Sequence, residues 1–258
     1  MQRPYFHSGQ GMIEFLIITP VLLLLVFGAL QFALMYQAKT ALNYATFEAA
    51  RAGALSNART SIIENTFARG MAPVYTHDDT VDEVEQARER VRRDIMNGLV
   101  IFEMINPDIN AFNDFGFDLY DDGNIYIPND NLMYRPVNTG STSGLTVQDA
   151  NLLKLHITYC YPLYVPFVNQ FIIRLMKNVP NADEPWNAGI PLSGTSNETC
   201  LKSRSPDDDR WMDTLKPDVQ ARFPLHAQAI VRMQSPAIQP PSAGMGSGPS
   251  IIWTGGTF

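Results

Sequence analysis

Cysteine is almost missing from this chain of 258 residues, which holds only Cys160 and Cys200. So low a count excludes a disulfide-dense scaffold and a four-cysteine zinc site. Histidine is nearly as scarce, with four copies at His7, His77, His156 and His226. With no glutamate or cysteine at ligand spacing, His156 and His226 read as a structural pair facing each other across a sheet, and no metal site is expected. Positive charge is in deficit as well. Lys and Arg total 19 against 26 Asp and Glu, a formal net charge of -7 that argues against nucleic acid. Catalytic signatures are lacking: Gly140-Ser-Thr-Ser-Gly144 carries Thr142 where a nucleophile elbow needs serine, and no glycine-rich phosphate loop ends in Lys-Ser/Thr. The chain is expected not to be an enzyme and to need no cofactor.

One long apolar run stands out against this background. From Phe15 to Tyr36 the sequence is almost wholly apolar, and as helix it spans roughly 33 Å, enough to cross a bilayer. No second run qualifies, since Phe167 to Lys177 is too short and carries Arg174 and Lys177. The first nine residues, MQRPYFHSG, form a short polar leader. The run is too long for a secretory signal, and no small-x-small cleavage site follows it before Gln37, so the span is expected to stay in the mature protein. Glu14 is the one formal charge at its membrane edge, at a cost of about 2.5 to 3.5 kcal/mol in hydrocarbon. Pro20 lies within the span, where a membrane helix can kink without ending. Gly28, Ala29 and Ala33 make a small-xxx-small site for close helix approach.

Beyond the span the helix continues. Ala38, Ala41 or Leu42, Ala45, Ala49 and Ala52 recur at three- and four-residue steps, a stripe of mostly small side chains for packing against the chain's own globular part or against neighbouring subunits. One helix of about 40 residues, ending near Gly53, is the expectation. The two cysteines lie downstream of the span. In the cytosol they would be free thiols, whereas outside it they read as one Cys160–Cys200 disulfide, which places the larger acidic part on the oxidising side.

Gly9, then four residues, then Glu14-Phe15, then Pro20, then LLLLVFG and the alanine-rich continuation resemble the TadE-like family. Its members are minor pilins, or pseudopilins, of the tight-adherence type IV pilus systems of bacteria. The resemblance covers roughly residues 8 to 55. It implies cleavage between Gly9 and Gln10 by a prepilin peptidase, and docking of Glu14 on the N-terminal amine of a neighbouring subunit. It also implies an inner-membrane anchor with a periplasmic or extracellular C-terminal domain, an assembly platform in that membrane, and residence in or at the tip of a pilus afterwards. The alternative is a single-pass membrane protein that never polymerises and whose outer domain binds an envelope partner.

Downstream signals are weaker. Residues 57–70 make a short helix candidate, and Thr80-Val-Asp-Glu83 fits a capping box opening a helix to about Asn97. Arginines 88, 90, 92 and 93 on that helix are interleaved with Glu83, Glu85 and Glu89 and read as a solvated face. Ile125 to Ile127 is a short strand candidate after an acidic turn at Asp121 to Asn124. An EF-hand beginning at Asp118 fails, because Tyr120 and Asn129 occupy its third and twelfth positions. Leu153 to Tyr164 alternates as a half-buried strand that Pro162 and Pro166 end or hold at an edge, and Phe223 to Gln234 is a second strand antiparallel to it. The expectation is therefore an α+β fold: leader 1–9, long helix 10–55 with its span at about 15–36, outer domain 56–234 with an antiparallel sheet and short helices, and a flexible Pro/Gly/Ser-rich tail 235–258. A fragment beginning near Ser56 is expected to fold alone, unless the alanine-faced half of the helix belongs to the core.

Overall fold

The computed structural model describes residues 10–78, 80–165, 168–169, 171–172, 200, 222–239 and 252–253. Helix α1 runs unbroken from Gln10 to Leu55, 46 residues, and continues through Pro20. Leucine, alanine, methionine and glutamine fill it, all good helix formers. It ends where Asn57 and Ala58 turn to positive φ of 59° and 55°, with the Gly53 carbonyl accepting from the Ser56 and Ala58 amides.

That left-handed pair also delays the next helix. The expected 57–70 segment becomes α2, Thr60–Met71, whose Ile63, Phe67, Ala68 and Met71 are buried. Gly70 is where α2 meets α1: a Cβ there would fall 2.8 Å from both Cα and Cβ of Ala45. Gly53 is similarly confined, 2.9 Å from an Ile63 side-chain carbon and 3.1 Å from Leu153. Small residues thus set how closely α1 lies against α2 and the sheet. Helix α3, Val81–Met96, opens on Thr80, whose side chain accepts from the Glu83 amide at 3.4 Å, as the capping-box sequence requires. Arg90 and Arg93 are exposed, while Arg88 and Arg92 are half-buried and paired to Glu85 and Glu89 one turn back.

The main sheet is assembled from distant parts of the chain. Its strands are β1 (Val100–Asn106), β3 (Leu152–Pro162), β4 (Arg222–Arg232) and β6 (Ile252–Trp253). Their order is β4-β3-β1-β6, with β3 antiparallel to β4 and β1, and β6 parallel to β1. Between β1 and β3 lie the short helices α4 (Ile109–Phe115) and α5 (Val147–Ala150) and the strand β2 (Tyr126–Ile127). Strand β2 pairs with β5 (Ala237–Ile238) in a two-stranded ribbon. The architecture is α+β, with one long helix laid across a mainly antiparallel sheet.

Several expectations need correction. Strand β3 is not half-buried, because His156, Thr158 and Cys160 are buried along with Leu155, Ile157 and Tyr159. Nor is it an edge strand: it sits between β4 and β1, and Pro162 is its last residue. Strand β1 was absent from the expectations altogether. The tail is not structureless where Ala237–Ile238 and Ile252–Trp253 add strands to the two sheets. Strand pairing supplies there the free energy that Pro, Gly and Ser side chains do not. Residues 166–221 lie largely outside the described residues.

Candidate functional site

Helix α1 divides into two halves of opposite character. From Gly11 to Leu30 its side chains are almost all exposed, with Met12 at 72%, Phe15 at 70% and Leu25 at 66%. Those residues amount to about 30 Å of bare helix, the thickness of a bilayer's hydrocarbon. Among the described residues it is the one helix long and apolar enough to cross a membrane, with a mean hydropathy of 2.5 in its most apolar window. Glu14 and Pro20 lie on this bare half and are exposed; Gly9 lies outside the described residues, and Gln10 opens the helix. Gly28, Ala29 and Ala33 are open among the described residues: a Cβ on Gly28 would meet nothing within 4 Å, and both alanines are exposed.

The second half begins at Gln31, the first fully buried side chain of the helix, whose Oε1 accepts from the Val165 amide at 2.9 Å. From there Met35, Ala38, Leu42, Ala45, Ala49 and Ala54 belong to the same core as Ile63, Phe67, Leu153 and Ile157. Ala52 is half-buried. The alanine stripe of the outer half therefore packs against the chain's own domain. Lys39 extends from the same stretch to donate to the His226 carbonyl.

The opposite face of this outer half is bare. Tyr36, Tyr44, Phe47 and Leu55 are 76%, 60%, 50% and 55% exposed. Spaced by three- and four-residue steps, they share one side of the helix with exposed Thr40 and Arg51. Ala29 and Ala33 fall on that same side one and two turns earlier, so a single stripe runs from the bare half up along the domain.

Residues 9–51 match the TadE-like protein family. The match covers the bare half of α1 and most of its buried half, and this similarity suggests a protein associated with tight-adherence pili. The rest of the chain lies outside the match. No curated protein and no solved structure matches this chain.

Above α1 the domain holds a polar cluster that sequence reasoning found only in part. His156 and His226 do meet across the sheet, with ring centroids 5.5 Å apart and planes 11° from parallel. The missing member is Glu103 on β1, directly opposite His156 in register, whose Oε2 lies 2.7 Å from His156 Nδ1 with both side chains buried. His226 Nδ1 lies 3.0 Å from Thr158 Oγ1. Burial, then the neighbouring His156 and the Lys39 ammonium, push His226 down to about 4. Among the described residues, no three His, Cys, Asp or Glu side chains are grouped to hold a metal ion.

Cys160 and Cys200 are disulfide-bonded, with Cα atoms 5.2 Å apart. The acidic turn spends its oxygens on its own backbone. Asp118 accepts from the amides of Asp122 and Gly123, and Asp122 accepts from the Asn124 amide and the Tyr126 hydroxyl.

Proposed function

We propose that this protein is a non-catalytic minor pilin of a tight-adherence type pilus, held in the bacterial inner membrane by its helix until it joins the filament. The observation that carries this reading is the two-sided character of α1. Its first half is bare and apolar on every side, while its second half is welded into the domain core. A subunit built this way moves from bilayer to filament without refolding, because neighbouring helices replace lipid around the bare half. The exposed stripe of Tyr36, Tyr44, Phe47 and Leu55 then offers a second surface to neighbours beyond the membrane. Chemistry supports the same role for Glu14. A carboxylate in hydrocarbon is costly, and the amine released by cutting after Gly9 would neutralise it in a neighbouring subunit, so that neither charge stays uncompensated.

The partners of this reading are a prepilin peptidase, other pilin subunits and the inner-membrane assembly platform. The C-terminal domain lies on the oxidising side of the membrane, in keeping with the disulfide. A second reading, a non-polymerising anchor with a binding domain, draws on the exposed apolar residues Met133, Tyr134 and Val137 at 88%, 85% and 74%. N-terminal mass spectrometry on protein from native envelopes and from sheared filaments separates the two. A mature chain beginning at Gln10 and recovered with filaments is expected. Retention of Met1, with the protein confined to the membrane fraction, would refute the pilin reading. In the same cells Glu14→Ala should leave insertion intact and reduce co-purification with other pilins.

A further inference from the structure

Taking α1 as a membrane span, and so resting on the proposal above, we propose that the cleft at the foot of the domain binds the phosphodiester headgroup of an anionic phospholipid. The cleft encloses about 260 Å³, with Leu34 and Gln37 of α1 on one side and Tyr75, Arg90, Tyr161 and Tyr164 on the other. Its level is set by the helix. The domain first covers α1 at Gln31, and Ala38, which also lines the cleft, is about 10 Å further along the axis. The headgroup layer on each side of a bilayer is about 5 to 8 Å thick. With Gly11 to Leu30 in hydrocarbon, Leu34 lies about 6 Å beyond the last of them, within that layer, and the cleft rises from it to Ala38 at about 12 Å.

The chemistry of the walls suits a phosphodiester with an acyl chain attached. The Arg90 guanidinium carbon stands 4.5 Å over the Tyr75 ring. Arg88 and Arg92 on the same helix are each tied to a glutamate, whereas Arg90 makes no ion pair among the described residues and keeps its N–H fork for an anion. Tyr75 is held from behind, since its hydroxyl shares a hydrogen bond with that of Tyr159, which in turn donates to Asp94 Oδ2 at 2.8 Å. Asp94 is buried and already engaged, by that hydroxyl and by the Arg222 guanidinium at 3.9 Å. Tyr161 and Tyr164 meet edge to face at 5.8 Å, and Tyr164 stands 41% exposed at the rim, the position interfacial tyrosines take in membrane proteins. Leu34 leads from the cleft down onto the bare half of α1, a path for an acyl chain that a free anion would not use.

The test uses the full chain in nanodiscs of phosphatidylcholine containing a minority of phosphatidylglycerol. Lipids that stay bound after release into mild detergent are counted by native mass spectrometry. Phosphatidylglycerol should be retained over phosphatidylcholine, and Arg90→Gln should lower that retention about fivefold, equivalent to about 1 kcal/mol for one cation at an anionic surface. Arg232→Gln makes the same charge change at the far end of β4, close to the last turn of α1, and should have no effect. Phosphatidylglycerol with a photoreactive headgroup should label peptides containing Tyr75 or Tyr164. Equal retention of the two lipids, equal loss in the two variants, or labelling confined to other peptides would each overturn the proposal. So would displacement of the lipid by inorganic phosphate alone, which would make this a soluble-anion site. A chain that enters the nanodisc without lipid preference removes only the cleft, whereas one that does not enter removes the membrane reading with it.

Discussion

Cutting α1 at two different points tests where the domain really begins. A fragment starting at Gln31 keeps every helix residue that belongs to the core, and one starting at Ser56 loses them all. The loss includes Met35 and Leu42 and five buried alanines at positions 38, 45, 49, 50 and 54. At about 0.8 kcal/mol per buried carbon group and about 2 kcal/mol for each larger side chain, the helix side of the contact alone contributes about 8 kcal/mol. The partners left bare, Ile63 and Leu153 among them, add to that. A domain's whole stability is about 5 to 15 kcal/mol, so the Ser56 fragment should not fold, while the Gln31 fragment should. Urea unfolding followed by circular dichroism checks this. A single cooperative transition in the Ser56 fragment, with mixed helix and strand signal, would refute the assignment of the alanine face to the domain core.

Gly70→Ala should destabilise the domain by about 1 to 2 kcal/mol, because its Cβ would strike Ala45 backbone, and the gain in helix propensity only partly offsets that. Gly28→Ala adds a methyl in open space and should leave the unfolding midpoint unchanged; equal effects of the two would contradict the packing described. Burial pushes the Glu64 carboxyl up to about 7 from an ordinary 4.5, so its contribution to stability is whole below the lower value and lost as pH rises through the upper one. Discounted for its partial exposure, Glu64→Gln should gain about 1 kcal/mol at alkaline pH and nothing in acid, and parallel stability–pH profiles for the two proteins would count against it. Reduction of Cys160–Cys200 reopens a loop of 40 residues and should lower stability by up to about 4 kcal/mol, read as a shift of the unfolding midpoint with and without reductant.

The sequence by itself determined the features that rest on local composition. A long apolar run with one carboxylate and a four-residue gap to a glycine defines the helix and carries the match of residues 9–51 to the TadE-like family. The Thr80 to Glu83 box places the start of α3, and period-two alternation marks β3 and β4. Each of these signals is written within one unbroken stretch of neighbouring residues. What only the tertiary structure decided is everything that needs a partner from far along the chain. Val100 to Asn106 is apolar on nearly every residue because β1 lies inside the sheet, so it carries no alternation to read, and its one charge, Glu103, is explained only by His156 53 residues later. The tail looks incapable of order until its two short strands find β2 and β1, since their hydrogen bonds come from backbone that any sequence possesses. The alanine stripe was equally ambiguous, for a small side chain says that something approaches closely without saying what. Gly70 and Leu153 answer that for the outer half of α1, whereas the stripe from Ala29 to Leu55 is bare of the described residues and keeps the question open to a partner outside them.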